Sequence, residues 1–543
     1  MQIENLDHLG LIAGVIDELG LVELTNDLLK THKLQHISPG QVLKAMILNA
    51  LGFISAPLYL FSDFFAGKPV EHLLGPGIQA EHLNDDRIGR VLDELFAHGT
   101  TLFFFQVALQ AVRRFAVLVE QLHLDSTSLA VDGEYKPEEA GEGEVLTESD
   151  EPTAIHLCRG YSRDHRPELK QFLVNLICSR DGGVPLWLKV GSGNETDSQT
   201  FAGIAQSFAE QWQVEGLFVM DAAFYSEPNL KEVGTLKWLT RVPQTLRAAQ
   251  AFVERDEAEL NPVPCQVEGY RLWEESQSYA GVTQRWVLVE SEERRQSNPG
   301  ELSGFRKQEK TLQRQLKDLC AQVFACKPDA MEVLLRFEKL LQWHTLTQVV
   351  VASVSAKRPP GRPKRSKTQD EGEKIGYQIQ ATLERTDDFE QRSSQRRSRF
   401  ILATNVLDVQ TYPAERLLQE YKQQQNVERG FRFLKDPLFF TSSVFVKKPQ
   451  RVEALALMMA LTLLVYNLGQ RKLRQQLQQS GETVLDQKQK PTSKPTLRWI
   501  LQKFQAIHLV TLGSAQQVSN LTDERSKIIR LLGLPYCHYY LLN

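Results

Sequence analysis

Cysteine is scarce. Six residues (Cys158, Cys178, Cys265, Cys320, Cys326, Cys537) are scattered over 543, none forms a CxxC pair, and no His pair follows them at zinc spacing. That excludes a disulfide framework and a zinc ribbon, and leaves buried free thiols in a reducing compartment as the reading. Long apolar runs are also lacking: the longest, ALALMMALTLLVY at 454–466, is too short to span a bilayer and lies between Lys/Arg-bearing stretches. The first residues, MQIENLDHLGLI, have neither the basic nor the apolar region of a signal peptide. A soluble, cytoplasmic protein is expected, with no membrane partner. Charge of one sign is missing too, since the formal net charge is only -4. A balanced total says little about partners, which respond to local charge. Internal repeats are absent. What is present is apolar residue: 42% of the chain is hydrophobic, enough for large cores in about three or four domains of roughly 150 residues each.

Residues 1–116 read as successive helices. DHLGLIAGVIDELGLVELTNDLL, SPGQVLKAMILNALGFI and DDRIGRVLDELFAHGTTLFFFQVALQAVRRF carry apolar residues at helical spacing, with Ser38-Pro39 as a helix start. Arg87, Arg90, Arg113 and Arg114 give this part a basic surface suited to DNA ends, although the pattern describes any helical bundle. Over 117–244 the period changes. Strands AVLVEQLHLDSTSLAV, LKQFLVNLICS and VPLWLKVGS, the latter two joined at Asp181-Gly182-Gly183, precede helix SQTFAGIAQSFAEQW, strand GLFVMDAA, helix SEPNLKEVG and strand KWLTRV. That order predicts an α/β (α+β) core around a mixed sheet. Residues 245–398 break the rhythm and read as an insertion. It holds short strands YRLWEESQSY and QRWVLVES, a charged helix, the basic run KRPPGRPKRSK (357–367) and an arginine-rich stretch ending in QRSSQRRSR (391–399). The core resumes over 399–475 with strand FILATN, helix AERLLQEYKQQQNVERGFRFLKD and a long apolar helix, and 476–543 reads as a helical tail.

Three carboxylates stand out by position. Asp125 interrupts the first core strand in LHLDSTSL, Asp221 ends a later apolar strand in LFVMDAAF, and Glu428 lies on the helix in YKQQQNVERGFRFLK. A strand aspartate is expensive to desolvate unless it has a partner such as a metal, and open sheets bind ligands at strand ends. Asp132 in LAVDGEY competes with Asp125, but Asp-Gly there reads as a turn. Hard Mg²⁺ takes oxygen ligands, and two such ions about 3.5–4 Å apart stabilise both the attacking and leaving oxygens of an in-line displacement at phosphorus. Tyr421, Gln424, Glu428 and Lys435 are spaced by three, four and seven, which puts all four on one helix face.

That spacing resembles the Tyr-x2-Arg-x3-Glu-x6-Lys signature of DDE-type insertion-sequence transposases. LHLDSTSL, GYSRDHRPELKQ (160–171), GNETD (193–197), VMDAAFYS and WLTRVP resemble, more narrowly, the 1634 branch of the insertion-sequence-4 superfamily. The resemblance covers nearly the whole chain. It implies a ribonuclease-H-like mixed-sheet catalytic core interrupted by a β-rich insertion, with helical N- and C-terminal parts. It further implies Asp125, Asp221 and Glu428 as ligands of two Mg²⁺ ions, for which Mn²⁺ can substitute, and Tyr421 and Lys435 as contacts to transposon-end phosphates. One position departs: Gln424 stands where the family has Arg, removing a guanidinium that grips phosphate bidentately.

The activity so implied is metal-dependent cleavage at terminal inverted repeats followed by attack of the freed 3′-OH on target DNA, by a homodimer on DNA associated with the nucleoid. In related cut-and-paste enzymes a hairpin intermediate forms, which needs a base held against an aromatic ring. Trp286 in QRWVLVES is a candidate for that stacking, with core packing as its alternative. In the basic run, Arg362, Lys364 and Arg365 around Gly361 resemble an AT-hook with Pro360 in place of the leading Arg; a solvated loop held near DNA by charge is the alternative. Arg163, His165 and Arg166 are either backbone contacts or an ion-paired turn. Two other functions stay open: an impaired or domesticated nuclease that cuts without joining, and a DNA-binding regulator without catalysis.

Overall fold

The computed structural model describes residues 1–30, 35–53, 61–131, 135, 153–160, 166, 168–296, 303–341, 343–355, 375–387, 389–424, 430–432, 435 and 448–542. The chain forms two compact units: Met1–Val242 with Ser276–Trp286 and Leu402–Asn543, and Pro243–Glu275 with Val287–Ile401.

In the first unit the sheet is built from strands whose apolar runs the sequence advertises. Counting Gln2–Asn5 as β1, β2 (Gln121–Val131) pairs antiparallel with β3 (Lys170–Ser179), which pairs antiparallel with β4 (Pro185–Ser192). On its other side β2 runs parallel to β5 (Leu217–Met220), and β5 parallel to β6 (Lys237–Arg241). Residues 402–404 extend the series by pairing antiparallel with β6, giving the neighbour order β4, β3, β2, β5, β6 and then the 399–404 strand, beyond which the sheet continues. Three antiparallel strands followed by two parallel ones reached through helices is the ribonuclease-H-like mixed α/β core that was expected. The helix Asp197–Trp212 makes the crossover to β5. Its Phe208 and Trp212, stacked on each other, pack edge-to-face with Phe105 and Trp187 in an aromatic cluster.

The N-terminal helices do begin where their chemistry dictates. Pro39–Ala50 starts with a capping box: the Ser38 hydroxyl accepts from Gln41 N–H, and Gln41 returns a bond to the Ser38 N–H. The long helix Pro449–Ser480 is 32 residues, longer than the apolar run alone suggests, and 83% of its apolar window is buried within the protein. Its apolarity therefore serves a core. It contacts Leu9–Leu19, Pro39–Ala50, Asp85–His98 and Thr100–Phe115. Its polar residues are bonded inward: Asn467 donates to Gly183 O at 2.6 Å, and Arg471 to Phe115 O, Ala116 O and Asp181.

The tail departs from the helical reading. Leu497–Lys503 is helical, but His508–Leu512 is a strand that pairs with Gln2–Asn5 at the other end of the chain. The ends are locked further by Gly10 and Gly14, where an added Cβ would sit 2.8 Å from Tyr539 and 2.6 Å from Tyr536.

The second unit combines strands with helices. Strands His344–Ser355 and Ile375–Arg385 form an antiparallel ribbon, and helices Ser303–Ala321 and Lys327–Glu338 pack on it around Leu316, Leu334, Phe337 and Ile379. Neither ribbon strand was read from the sequence. The basic run with Arg362, Lys364 and Arg365 joins their ends and lies outside the described residues.

Candidate active site

Register decides the geometry of the two aspartates. The last parallel pair between β2 and β5 is Leu124 with Met220, so Asp125 and Asp221 occupy the next step on neighbouring strands. Parallel neighbours are about 4.8 Å apart and point the same way, so both carboxylates fall on one face of the sheet. Asp125 is 8% exposed, and one of its oxygens accepts from the Ser126 N–H at 2.8 Å. Asp221 caps the short 3₁₀ turn Ala222–Phe224: Oδ1 accepts from the Ala223 N–H at 2.8 Å, and its main-chain oxygen accepts from the Thr240 hydroxyl at 2.6 Å. The backbone of β5, the turn and β6 thereby fix where the second carboxylate sits.

Glu428 lies outside the described residues. The helix expected to carry it is shorter than the sequence pattern suggests. Ala414–Lys422 is helical, Gln423 N–H bonds back to both Gln419 O and Glu420 O, and Gln424 N–H reaches Tyr421 O at 3.1 Å. Such tightening ends a helix, and helix resumes at 430–432. An unbroken helix therefore does not carry Tyr421, Gln424 and Lys435 on one face. Tyr421 and Lys435 are half-buried, while Gln424 is 7% exposed. Among the described residues no three His, Cys, Asp or Glu groups gather as a metal site. The two adjacent aspartates nonetheless supply the hard oxygen donors that Mg²⁺ takes.

Trp286 is in the core. It is 2% exposed, and its Nε1–H lies 3.2 Å from both the Tyr225 hydroxyl and Gln284 Oε1. Tyr225 is itself four residues after Asp221 and stacks on Tyr279 at 5.3 Å. Arg166 bonds to Glu168 in an exposed ion pair, the turn-like alternative; Arg163 and His165 lie outside the described residues. The arginines of 391–399 are engaged within the second unit. Arg392 and Arg396 meet Glu254, and Arg399, 1% exposed, bonds Glu290 at 2.8 Å.

Two features escaped the sequence. His123, one pleat before Asp125 and therefore on its face, is 1% exposed, and neither ring nitrogen is hydrogen-bonded among the described residues. Burial, then the Arg180 charge, lowers its pKa to about 4, so the ring is neutral near pH 7. Opposite it, the Cys178 thiol is pushed up by burial and by the Asp125 charge. The second feature is Glu420, one residue before Tyr421. Its buried carboxylate accepts from Arg180 Nη1 at 2.7 Å, pinning the motif helix to the end of β3. The only sequence signal was a charged residue on an apolar helix face.

Comparison with known families finds two matches. Residues 1–109 match a domain of unknown function (DUF4277), and residues 120–468 match the family described as transposase DDE domain. A search of curated proteins finds no match. Among solved structures, the cryo-EM structure of the piggyBac transposase synaptic complex with hairpin DNA aligns over 92% of this chain and 79% of that one, at 10% identity and a TM-score of 0.36.

Proposed function

The chain belongs to the DDE transposase family, and on that premise we propose that it is an insertion-sequence transposase of the insertion-sequence-4 superfamily, 1634 branch, which cuts DNA at transposon ends and joins the freed 3′-OH to target DNA. The observation that carries the reading is the register of β2 and β5, which sets Asp125 beside Asp221. These two, with Glu428, would hold two Mg²⁺ or Mn²⁺ ions. When bound, such a pair activates the attacking oxygen and stabilises the leaving one.

The chain's own residues do the rest. The Ser126 and Ala223 N–H groups orient the aspartates. The Arg180–Glu420 pair holds the segment with Tyr421 against the sheet, where Tyr421 and Lys435 contact end phosphates. The basic run of Arg362, Lys364 and Arg365 adds charge toward DNA. Trp286 would stack on a base only after leaving its present packing, so core packing is the role its surroundings favour. Gln424, at 7% exposure, is likewise placed to pack rather than to grip a phosphate. Two ends must be cut together, which calls for a homodimer on DNA, acting at the nucleoid. The layout is a helical end-binding part (1–116), a core (117–244 and 399–475), an insertion (245–398) and a tail (476–543).

The test is cleavage of a labelled transposon-end duplex with Mg²⁺ or Mn²⁺ by the wild type and by Glu428→Gln. Metal-dependent cutting that the variant loses while keeping DNA binding is expected. Equal cutting by both would remove Glu428 from the site, and binding without cutting by either would favour a decayed enzyme.

A further inference from the structure

A chain of net charge -4 that holds a polyanion must concentrate its positive charge locally. Between Asp486 and Asp523 there is no acidic residue at all, and Gln487–Arg498 alone carries Lys488, Lys490, Lys494 and Arg498. The long helix ends at Gly481, left-handed at φ 69°. The chain then forms a small hairpin in which Val484 pairs with Thr492 and Leu485 with Pro491.

The hairpin is held firmly at its base. Leu485 N–H donates to Glu524 at 3.2 Å, Trp499 Nε1–H to Leu485 O at 2.8 Å, and Lys527 to Thr483 O at 2.9 Å. At the tip, one carboxylate oxygen of Asp486 accepts from both the Lys488 and Lys490 N–H groups at 2.8 Å. Gln489 takes a left-handed φ of 58° to close the turn. The local acids are thus occupied: Asp486 with the backbone, Glu524 with Lys503 and Glu482 with Lys527. Lys488, Lys490 and Lys494 are exposed, and among the described residues none enters an ion pair. Side-chain entropy and self-repulsion make three exposed lysines within residues 488–494 on a braced turn a poor stabilising device. They suit a ligand carrying regularly spaced negative charge.

We propose that this hairpin is a second DNA-backbone contact, binding duplex phosphates away from the bond that is cut; the proposal rests on the transposase reading above. Gly430 packs on Leu463 of the long helix. From Leu463 to Ser480 the helix rises about 25 Å at 1.5 Å per residue. At about 3.4 Å per base pair that length corresponds to roughly seven base pairs of duplex, a separation that fits a contact on flanking DNA in which the lysines take no part in the chemistry.

The test measures binding of the full chain to a labelled transposon-end duplex as a function of salt, for the wild type, for Lys488→Ala/Lys490→Ala/Lys494→Ala, and for the same three changed to Arg. Each lysine–phosphate contact contributes about 0.9 to the slope of log K against log salt, so the Ala variant should lose about 2.7. Between about 50 and 200 mM salt its affinity would then fall about 40-fold less than that of the wild type. The Arg variant should keep the wild-type slope. An Ala variant with the wild-type slope, in a wild type that does bind and cut, overturns the proposal alone. A wild type that binds no DNA at any salt overturns the transposase reading and the proposal with it.

Discussion

The Arg180–Glu420 pair makes an asymmetric prediction. The Glu420 side chain is 1% exposed and that of Arg180 39%; Arg416 stands farther off at 3.9 Å, and among the described residues Glu420 Oε2 has no hydrogen-bond partner. Arg180→Ala would leave the carboxyl either ionised in the interior or forced to take up a proton. Protonation sets the ceiling. From a reference value of 4.5, keeping a carboxyl neutral at pH 7 costs about 3.4 kcal/mol at 1.36 per unit. Burial, opposed by the Arg180 and Arg416 charges, already holds Glu420 above that reference, so part of this cost is present in the wild type. The net loss should be about 2–3 kcal/mol, at the lower edge of what breaking a buried pair costs.

A carboxyl with a raised folded pKa binds more protons folded than unfolded above pH 4.5. Its contribution to stability therefore declines as pH rises through that window, and declines further in Arg180→Ala, where the window widens. The penalty should shrink below about 1 kcal/mol at pH 5. Glu420→Gln should cost no more than about 1 kcal/mol at either pH, because the partly exposed guanidinium it abandons can turn to water. A double-mutant cycle read by urea unfolding at pH 5 and pH 7 supplies the comparison. A pH-independent Arg180→Ala penalty, or a Glu420→Gln variant equally damaged at pH 7, would refute the reasoning.

Two further outcomes are expected. His8 is buried against Leu51 O at 2.9 Å and lowered to about 4 mainly by burial, so stability fully present above pH 6.5 should be lost toward pH 4, by about 3 kcal/mol; melting of His8→Gln across that range should lack the dependence, and parallel curves would refute it. At Gly40 a Cβ would meet Val22 O at 2.2 Å, so Gly40→Ala should lower the melting temperature through about 1–3 kcal/mol of overpacking, and an unchanged transition would show that the helix pair yields.

The strands of the core were legible because their apolar runs end in residues that do not belong in them. Asp125 and Asp221 announced themselves that way, and so did the turn at Gly182-Gly183. The Ser38 cap was legible because capping chemistry is local. The ribbon of the second unit was not: HTLTQVVVASVS has its β-branched run next to a loop of strong basic composition, and the loop dominated the reading. The pairing of Gln2–Asn5 with His508–Leu512 was hidden for another reason. Sequence patterns report local period, and nothing local tells four residues at one end of a chain which strand will accept them. Trp286 was ambiguous because an aromatic in a strand reads alike whether its partner is Tyr225 or a nucleobase.

The motif segment shows why a local match needs a three-dimensional frame. Spacing alone puts Gln424 on the helix face of Tyr421, but the helix stops at Lys422 and Gln424 turns inward to 7% exposure. A guanidinium at such a position requires an anion within reach or a path to water, whereas an amide is far cheaper to bury. Beside it, Glu420 already places one charge in the interior and relies on Arg180 to hold it. Two buried charges on successive turns would make the segment's stability depend on both partners at once. Glutamine at 424 removes one such demand while Glu420 keeps the segment registered against β3. Glutamine at 424 thus suits its packed position, and a Gln424→Arg change would have to reopen the 423–424 turn before the new side chain could reach solvent.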